Sequence, residues 1–213
     1  SNGNRLGVIP VVDDGVLFFQ DGRRIYAVSL ESGQPLPAWQ QTHPGGAYIF
    51  DTVPVPVGQQ LTVTVTEDAV LAVMGFSDLP NDTRGVTRIV CLDRATGRER
   101  WIARPSDLPD RDALRTLNFS GSPLVVGDSV HIIGRGGTGA QFEDCYLVTL
   151  DLRTGAHRWS TYLASASTDQ VNISAGRQAR PRSSDTTSHI AYAGGKLYVL
   201  TNVGAVAAVD AYS

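Results

Sequence analysis

Hydrophobic positions come in short runs along the chain, and each run is closed by a cluster of turn residues. Val, Ile, Leu, Thr and Tyr dominate the runs, and the breaks fall at Asp13-Asp14-Gly15, Asp21-Gly22, Val126-Gly127-Asp128 and Gly194-Gly195. Helical periodicity is almost absent, so the pattern predicts an all-β chain with tight turns between neighbouring strands. The runs read as nearly continuous apolar stretches rather than strict alternation. Strands buried on both faces read this way.

One segment recurs with its turn chemistry intact. Cys91-Leu-Asp-Arg-Ala-Thr-Gly-Arg-Glu-Arg-Trp101 matches Thr149-Leu-Asp-Leu-Arg-Thr-Gly-Ala-His-Arg-Trp159, and both the tryptophans and the aspartates stand 58 residues apart. A degenerate earlier copy runs from Ala27 through Gly33 to Trp39, and a later one, Ala207 to Asp210 and Ser213, stops before its glycine and tryptophan. Upstream of each copy the order of events is the same: strand, tight turn, strand, loop, then the strand that carries the aspartate. The repeats predict four-stranded antiparallel blades at about 5–40, 57–102, 118–161 and 185–213, the last truncated. Extra loops are expected at 40–56, 102–118 and 160–187. Stacking such sheets radially buries both faces of each.

The motif has a reading that needs no ligand. Asp93 and Asp151 can accept hydrogen bonds from the backbone of the turn, and Gly97 and Gly155 can take the left-handed conformation that closes it. Trp101 and Trp159 are large enough to fill the wedge between blades. Leu92 and Leu150 are expected to face the opposite layer. Trp39 and Asp210 are the matching residues of the outer copies.

Ala-x-Asp-x-x-Thr-Gly-x-x-x-Trp, preceded by Pro-Val-Val and Gly-x-Val-Tyr-Val patterns, resembles the tryptophan-docking repeat of pyrroloquinoline-quinone-type β-propellers across almost the whole chain. The resemblance implies a partial β-propeller of about four blades with quinoprotein-like repeats, since family members have eight. Missing blades, or a homodimer, would then complete the ring. The enzymatic branch of that family sets vicinal cysteines against the quinone and binds calcium with a Glu/Asn/Asp set; no vicinal pair is present here. The chain is therefore expected to be similar to the non-enzymatic branch, which includes the propeller lipoprotein of the bacterial outer-membrane barrel-assembly machinery. A binding scaffold for a protein or peptide partner, without a cofactor, is the leading expectation. A fragment of a quinone- and calcium-dependent dehydrogenase, or a sensor domain of a signalling protein, are the alternatives.

Composition narrows the field further. With 213 residues, 42% of them hydrophobic and 18% charged, the chain is an ordinary globular sequence. A net charge of −3 and a pI near 5.7 supply no basic surplus for nucleic acid. No apolar run reaches the roughly 20 residues of a membrane helix, so direct membrane insertion is not expected. Ser1-Asn2-Gly3 reads as a tag remnant rather than a signal peptide, and the resemblance implies an extracytoplasmic, periplasmic setting with the export signal left out. Cys91 and Cys145 are too few for a disulfide scaffold or a four-ligand zinc site.

Gly134-Arg-Gly136-Gly-Thr-Gly139 matches a dinucleotide fingerprint in letters, but it leads into a strand where that fingerprint needs a helix, so it reads as a hairpin loop. Asp107, Asp110 and Asp112, and separately Asp78, Asn81 and Asp82, lack the spacing of a calcium loop. Arg115 and Asn118 precede the inner strand of the third blade, much as Arg180, Arg182 and Asp185 precede that of the fourth, where His189 stands at the strand start. These six residues are the candidate ligand-binding set, expected to converge if the protein takes a small or acidic ligand.

Overall fold

The computed structural model describes residues 7–50, 60–75, 87–109, 112–136, 142–167, 189–201 and 204–212. The first sheet holds β2 (Val11–Asp13), β3 (Val16–Gln20), β4 (Arg24–Ser29) and β5 (Ala47–Ile49) in that order. The second holds β7 (Thr64–Val65), β8 (Ala69–Met74), β9 (Arg88–Asp93) and β10 (Glu99–Ala103), and the third β11 (Asn118–Val126), β12 (Ser129–Gly136), β13 (Phe142–Asp151) and β14 (His157–Ser167). In the fourth, β15 (Ile190–Ala193), β16 (Lys196–Leu200) and β17 (Val206–Asp210) pair antiparallel as a three-stranded sheet. Four antiparallel blades arranged in a ring are a β-propeller.

The inner strands of the first two blades are interrupted. Pro10, which has no N–H to offer a ladder, separates β2 from β1 (Gly7–Ile9), and β1 pairs in parallel with β6 (Gln60–Thr62) of the second blade. Gln20 Nε2 reinforces this crossover by donating to the Thr62 carbonyl oxygen (2.6 Å). The third blade keeps its inner strand whole, with a register irregularity between Ser120 and Leu124.

Three expected loops carry structure. Residues 37–42 form helix α1 (Pro37–Thr42), started by a proline in its first turn and ended just before Pro44. Six residues are too few to show a helical period, and the chain then returns as β5, so the first blade reaches Ile49, beyond the span read from the sequence. The segment after β10 holds a 3-10 turn at Pro105–Asp107 and helix α2 (Asp112–Arg115). Strand β14 runs on to Ser167 through Ala164-Ser165-Ala166, small residues that read as loop.

The cores lie between blades: the second and third sheets are buried on both faces, the first and fourth on one. Phe18, Ile25, Ala27 and Trp39 of the first blade meet Val70, Ala72, Val90 and Leu92 of the second. Leu71, Cys91 and Trp101, on the other face of the second, meet Val130, Ile132, Val148 and Leu150 of the third. Ile133, Cys145 and Leu147 then meet Leu197, Val199 and Ala211 of the fourth.

Candidate functional site

The repeated motif builds a joint between successive blades. In the second blade Asp93 Oδ1 accepts from Thr96 N (3.0 Å) and Thr96 Oγ1 (2.8 Å), and Gly97, at φ 71°, closes the turn with its N–H on the Asp93 carbonyl oxygen. Asp151, Thr154 and Gly155 repeat this in the third blade, with Oδ1 bonds of 2.9 Å from both Thr154 N and Thr154 Oγ1. The indole of the preceding blade settles on that turn. Trp39 Nε1 donates to the Arg94 carbonyl oxygen and Trp101 Nε1 to the Leu152 carbonyl oxygen, each at 2.9 Å. A Cβ placed on Gly97 would meet Trp39 at 2.7 Å, and one on Gly155 would meet Trp101 at 2.6 Å, so glycine serves both the turn and the approach of the ring. Trp101 and Trp159 stand on outer strands, Trp39 on α1. Trp159 packs beside the core shared with the fourth blade, where Asp210 Oδ1 accepts from Tyr212 N (2.9 Å).

Arginines brace two of these turns. Arg100 bridges Asp68 (2.7 Å) and Asp93 (2.8 Å), and Arg158 bridges Asp128 and Asp151, both at 2.7 Å. The Arg158 guanidinium is the main cause that draws the Asp151 carboxyl down to about 2. Arg94 reaches back across the joint to Asp13 (2.8 Å) and lies over the Phe18 ring.

Of the six candidate ligand-binding residues, Arg180, Arg182 and Asp185 lie outside the described residues. Arg115 is exposed at the end of α2, and His189 is exposed just ahead of β15, where its carbonyl oxygen accepts from Leu200 N (3.4 Å). Asn118 begins β11 and pairs across the sheet with Arg135. Arg135, which the sequence reading passed over, is the chief polar residue at this end: it is 9% exposed, and its Nη2 donates to the Thr201 carbonyl oxygen (3.1 Å) while Nη1 lies 3.3 Å from Glu143 Oε1. An arginine between glycines at the end of an apolar strand was the available signal. Asn118, Arg135, Glu143 and Thr201 thus meet where the third and fourth blades join, and His189 stands one strand pairing away. The guanidinium there already binds a carboxylate and a carbonyl, which makes it a clamp between blades.

Among the described residues no three His, Cys, Asp or Glu side chains converge as a metal site requires. Cys91 and Cys145 are free and buried in different inter-blade cores, and burial pushes their thiols up to about 12 and about 11. They do not fit the vicinal pair of a quinone site. No helix among the described residues is long and apolar enough to cross a membrane.

Apolar side chains are instead exposed at both ends of the stack. On the fourth blade Tyr198, Leu200 and Val206 (74% exposed) share the face opposite Leu197 and Val199. On the first, Val12 (56% exposed) lies beside the half-buried Leu17 and Val28.

Radial four-stranded blades joined by an indole on a glycine turn define a β-propeller of the quinoprotein type. The family model described as outer membrane protein assembly factor BamB matches residues 2–213, and the chain belongs to that family. No curated protein matches the chain in sequence. Among solved structures it is similar to the quinohemoprotein alcohol dehydrogenase of Comamonas testosteroni, at 21% identity and a TM-score of 0.50 over 75% of this chain and 21% of that one. It is likewise similar to quinohemoprotein alcohol dehydrogenase ADHIIG of Pseudomonas putida HK5, at 19% identity and a TM-score of 0.53 over 92% of this chain and 28% of that one. The chain thus spans less than a third of either neighbour, and the likeness concerns the fold.

Proposed function

We propose that this protein is a non-catalytic binding scaffold that holds a protein or peptide partner during assembly of outer membrane proteins, outside the cytoplasm in the periplasm. The family description supports this reading most directly, and the apolar residues exposed on the fourth blade are compatible with it. Exposed, contiguous apolar surface is the usual mark of a protein interface, whereas the buried polar groups of the motif are occupied in holding turns and joints. The family description supplies the process, and a polypeptide partner suits the chemistry of Tyr198, Leu200 and Val206.

A second reading, a piece of a quinone-dependent dehydrogenase, draws on the two structural neighbours. Titration calorimetry separates the two. The scaffold reading expects an outer-membrane β-barrel polypeptide, kept unfolded in dilute urea, to bind saturably, and expects Leu200→Asp with Val206→Asp to weaken that binding at least tenfold at unchanged melting temperature. Pyrroloquinoline quinone with calcium is expected to give no saturable heat. Micromolar binding of the quinone, with none of the polypeptide, overturns the scaffold.

A further inference from the structure

A row of three side chains crosses each of the first three blades on the face turned to the next blade. In the first blade the row is Phe18, Ala27 and Trp39, and in the second Leu71, Cys91 and Trp101. In the third it is His131, Thr149 and Trp159, paired across β12, β13 and β14. A titratable and a hydroxyl side chain stand there where the other blades place apolar ones or a thiol. His131 is fully buried; its Nδ1 lies 2.9 Å from Thr149 Oγ1, its ring is 6.0 Å from that of Trp159, and its Nε2 has no hydrogen-bond partner among the described residues.

The seam that receives this row has the smallest core among the described residues. Six buried apolar residues hold the third blade to the fourth, against 15 between the second and third and 11 between the first and second. Among the described residues the fourth blade brings the apolar side chains of Ile190, Leu197, Val199, Ala207, Val209 and Ala211 to this seam, and Thr201, buried at its far end, gives its carbonyl oxygen to Arg135. The charged group that bears on His131 from its own blade is Arg158, a cation held by Asp128 and Asp151 at the turn. His157 precedes it on β14, opposite Leu150. Arg135 with Glu143 lies at the other end of the seam.

We propose that the joint between the third and fourth blades is an acid-sensitive hinge, closed while His131 is neutral and opened when the imidazole takes a proton. The imidazolium would place a second cation beside Arg158, in a seam where no described residue accepts from its Nε2–H. The neutral ring with its proton on Nδ1 donates to Thr149 Oγ1 and leaves Nε2 bare, so the proton that charges it arrives at Nε2. The proposal does not depend on the scaffold reading, because it concerns the chain's own blades.

The sign follows from linkage. Burial, with Arg158 adding to it, pushes the His131 imidazole down from 6.5 to about 4, so the closed seam disfavours the proton that an opened one accepts. Opening is therefore lowest above pH 6.5 and grows as pH falls from there towards 4. At pH 5 the two pKa values give an opening constant about 30-fold above its value at pH 7.5.

The two free cysteines report separately on the largest and the smallest of the three seams. Cys145 is buried in the seam with the fourth blade and Cys91 in the seam between the second and third. Labelling of the whole chain with 4,4′-dithiodipyridine, a reagent that reacts in acid, is read at each cysteine by peptide mass and normalised to glutathione at the same pH. The hinge expects the Cys145 rate at pH 5 to exceed that at pH 7.5 by about 30-fold, with Cys91 changing less than twofold. His131→Leu, which restores the residue type of the second blade, and His131→Gln, a polar side chain that does not titrate, are both expected to abolish the rise. A Cys145 rate that ignores pH, a rise that persists in a folded non-titrating variant, or parallel rises at both cysteines would overturn the hinge.

Discussion

At the scale of single residues, glycine and tryptophan form one device. Gly97 and Gly155 hold positive φ, a requirement of the turn, and also leave room for the indole that lands on them. Gly33 holds the same conformation, φ 67°, but nothing lies within 4 Å of where its Cβ would be. The three positions separate conformational strain from docking. Gly33→Ala is expected to cost about 1 kcal/mol, the left-handed penalty alone. Gly155→Ala should cost about 2–4 kcal/mol, because the Trp101 ring must also give way. Urea unfolding of both variants measures the difference, and equal costs would refute the docking role. The motif was legible in the sequence down to its hydrogen bonds, since an Asp three residues before Thr and four before Gly is a local arrangement. The landing place of the indole was not, because Trp39 and Arg94 are 55 residues apart.

At the scale of the element, the arginine braces tie each turn to its own sheet. Arg158 is partly exposed and its carboxylate partners are accessible, so Arg158→Met is expected to lower stability only slightly, and less again in high salt. Its clearer effect is on the acid limb of stability. The Asp151 carboxyl is held near 2 in the folded chain, so its contribution is present above the ordinary carboxylate value and lost as pH falls through about 2. Replacing Arg158 should move that loss to higher pH in an acid titration followed by circular dichroism. An unchanged acid limb would remove Arg158 from the account. The elements the sequence concealed were those too short or too bland to show a period: the six-residue helix α1 and the serine- and alanine-rich end of β14.

Over the whole molecule, stability is a sum over seams, as in other stacked repeats. The fourth blade contributes three strands among the described residues and shares the smallest core, while its other face is exposed. Amide exchange at pH 7.5 is therefore expected to be fastest in β15, β16 and β17 and slowest in β8, β9, β12 and β13, whose residues are buried on both faces. Uniform protection would show that the blades unfold as one unit. The same exposed face carries Tyr198, Leu200 and Val206.

Fold class, repeat length and turn chemistry were set by the sequence alone, because a blade's turns depend on neighbours a few residues away and its strands pair with the next strand along the chain. The propeller could be read from one motif and its echo 58 residues on. Tertiary structure decided what lies between blades. It put an indole on a distant glycine and joined Arg135 to Thr201. It also placed His131, one histidine among four in the sequence, on the face of the third blade that meets Leu197 and Val199 of the fourth. Such pairings join residues tens of positions apart, and no local pattern records which face of one sheet will meet which face of the next.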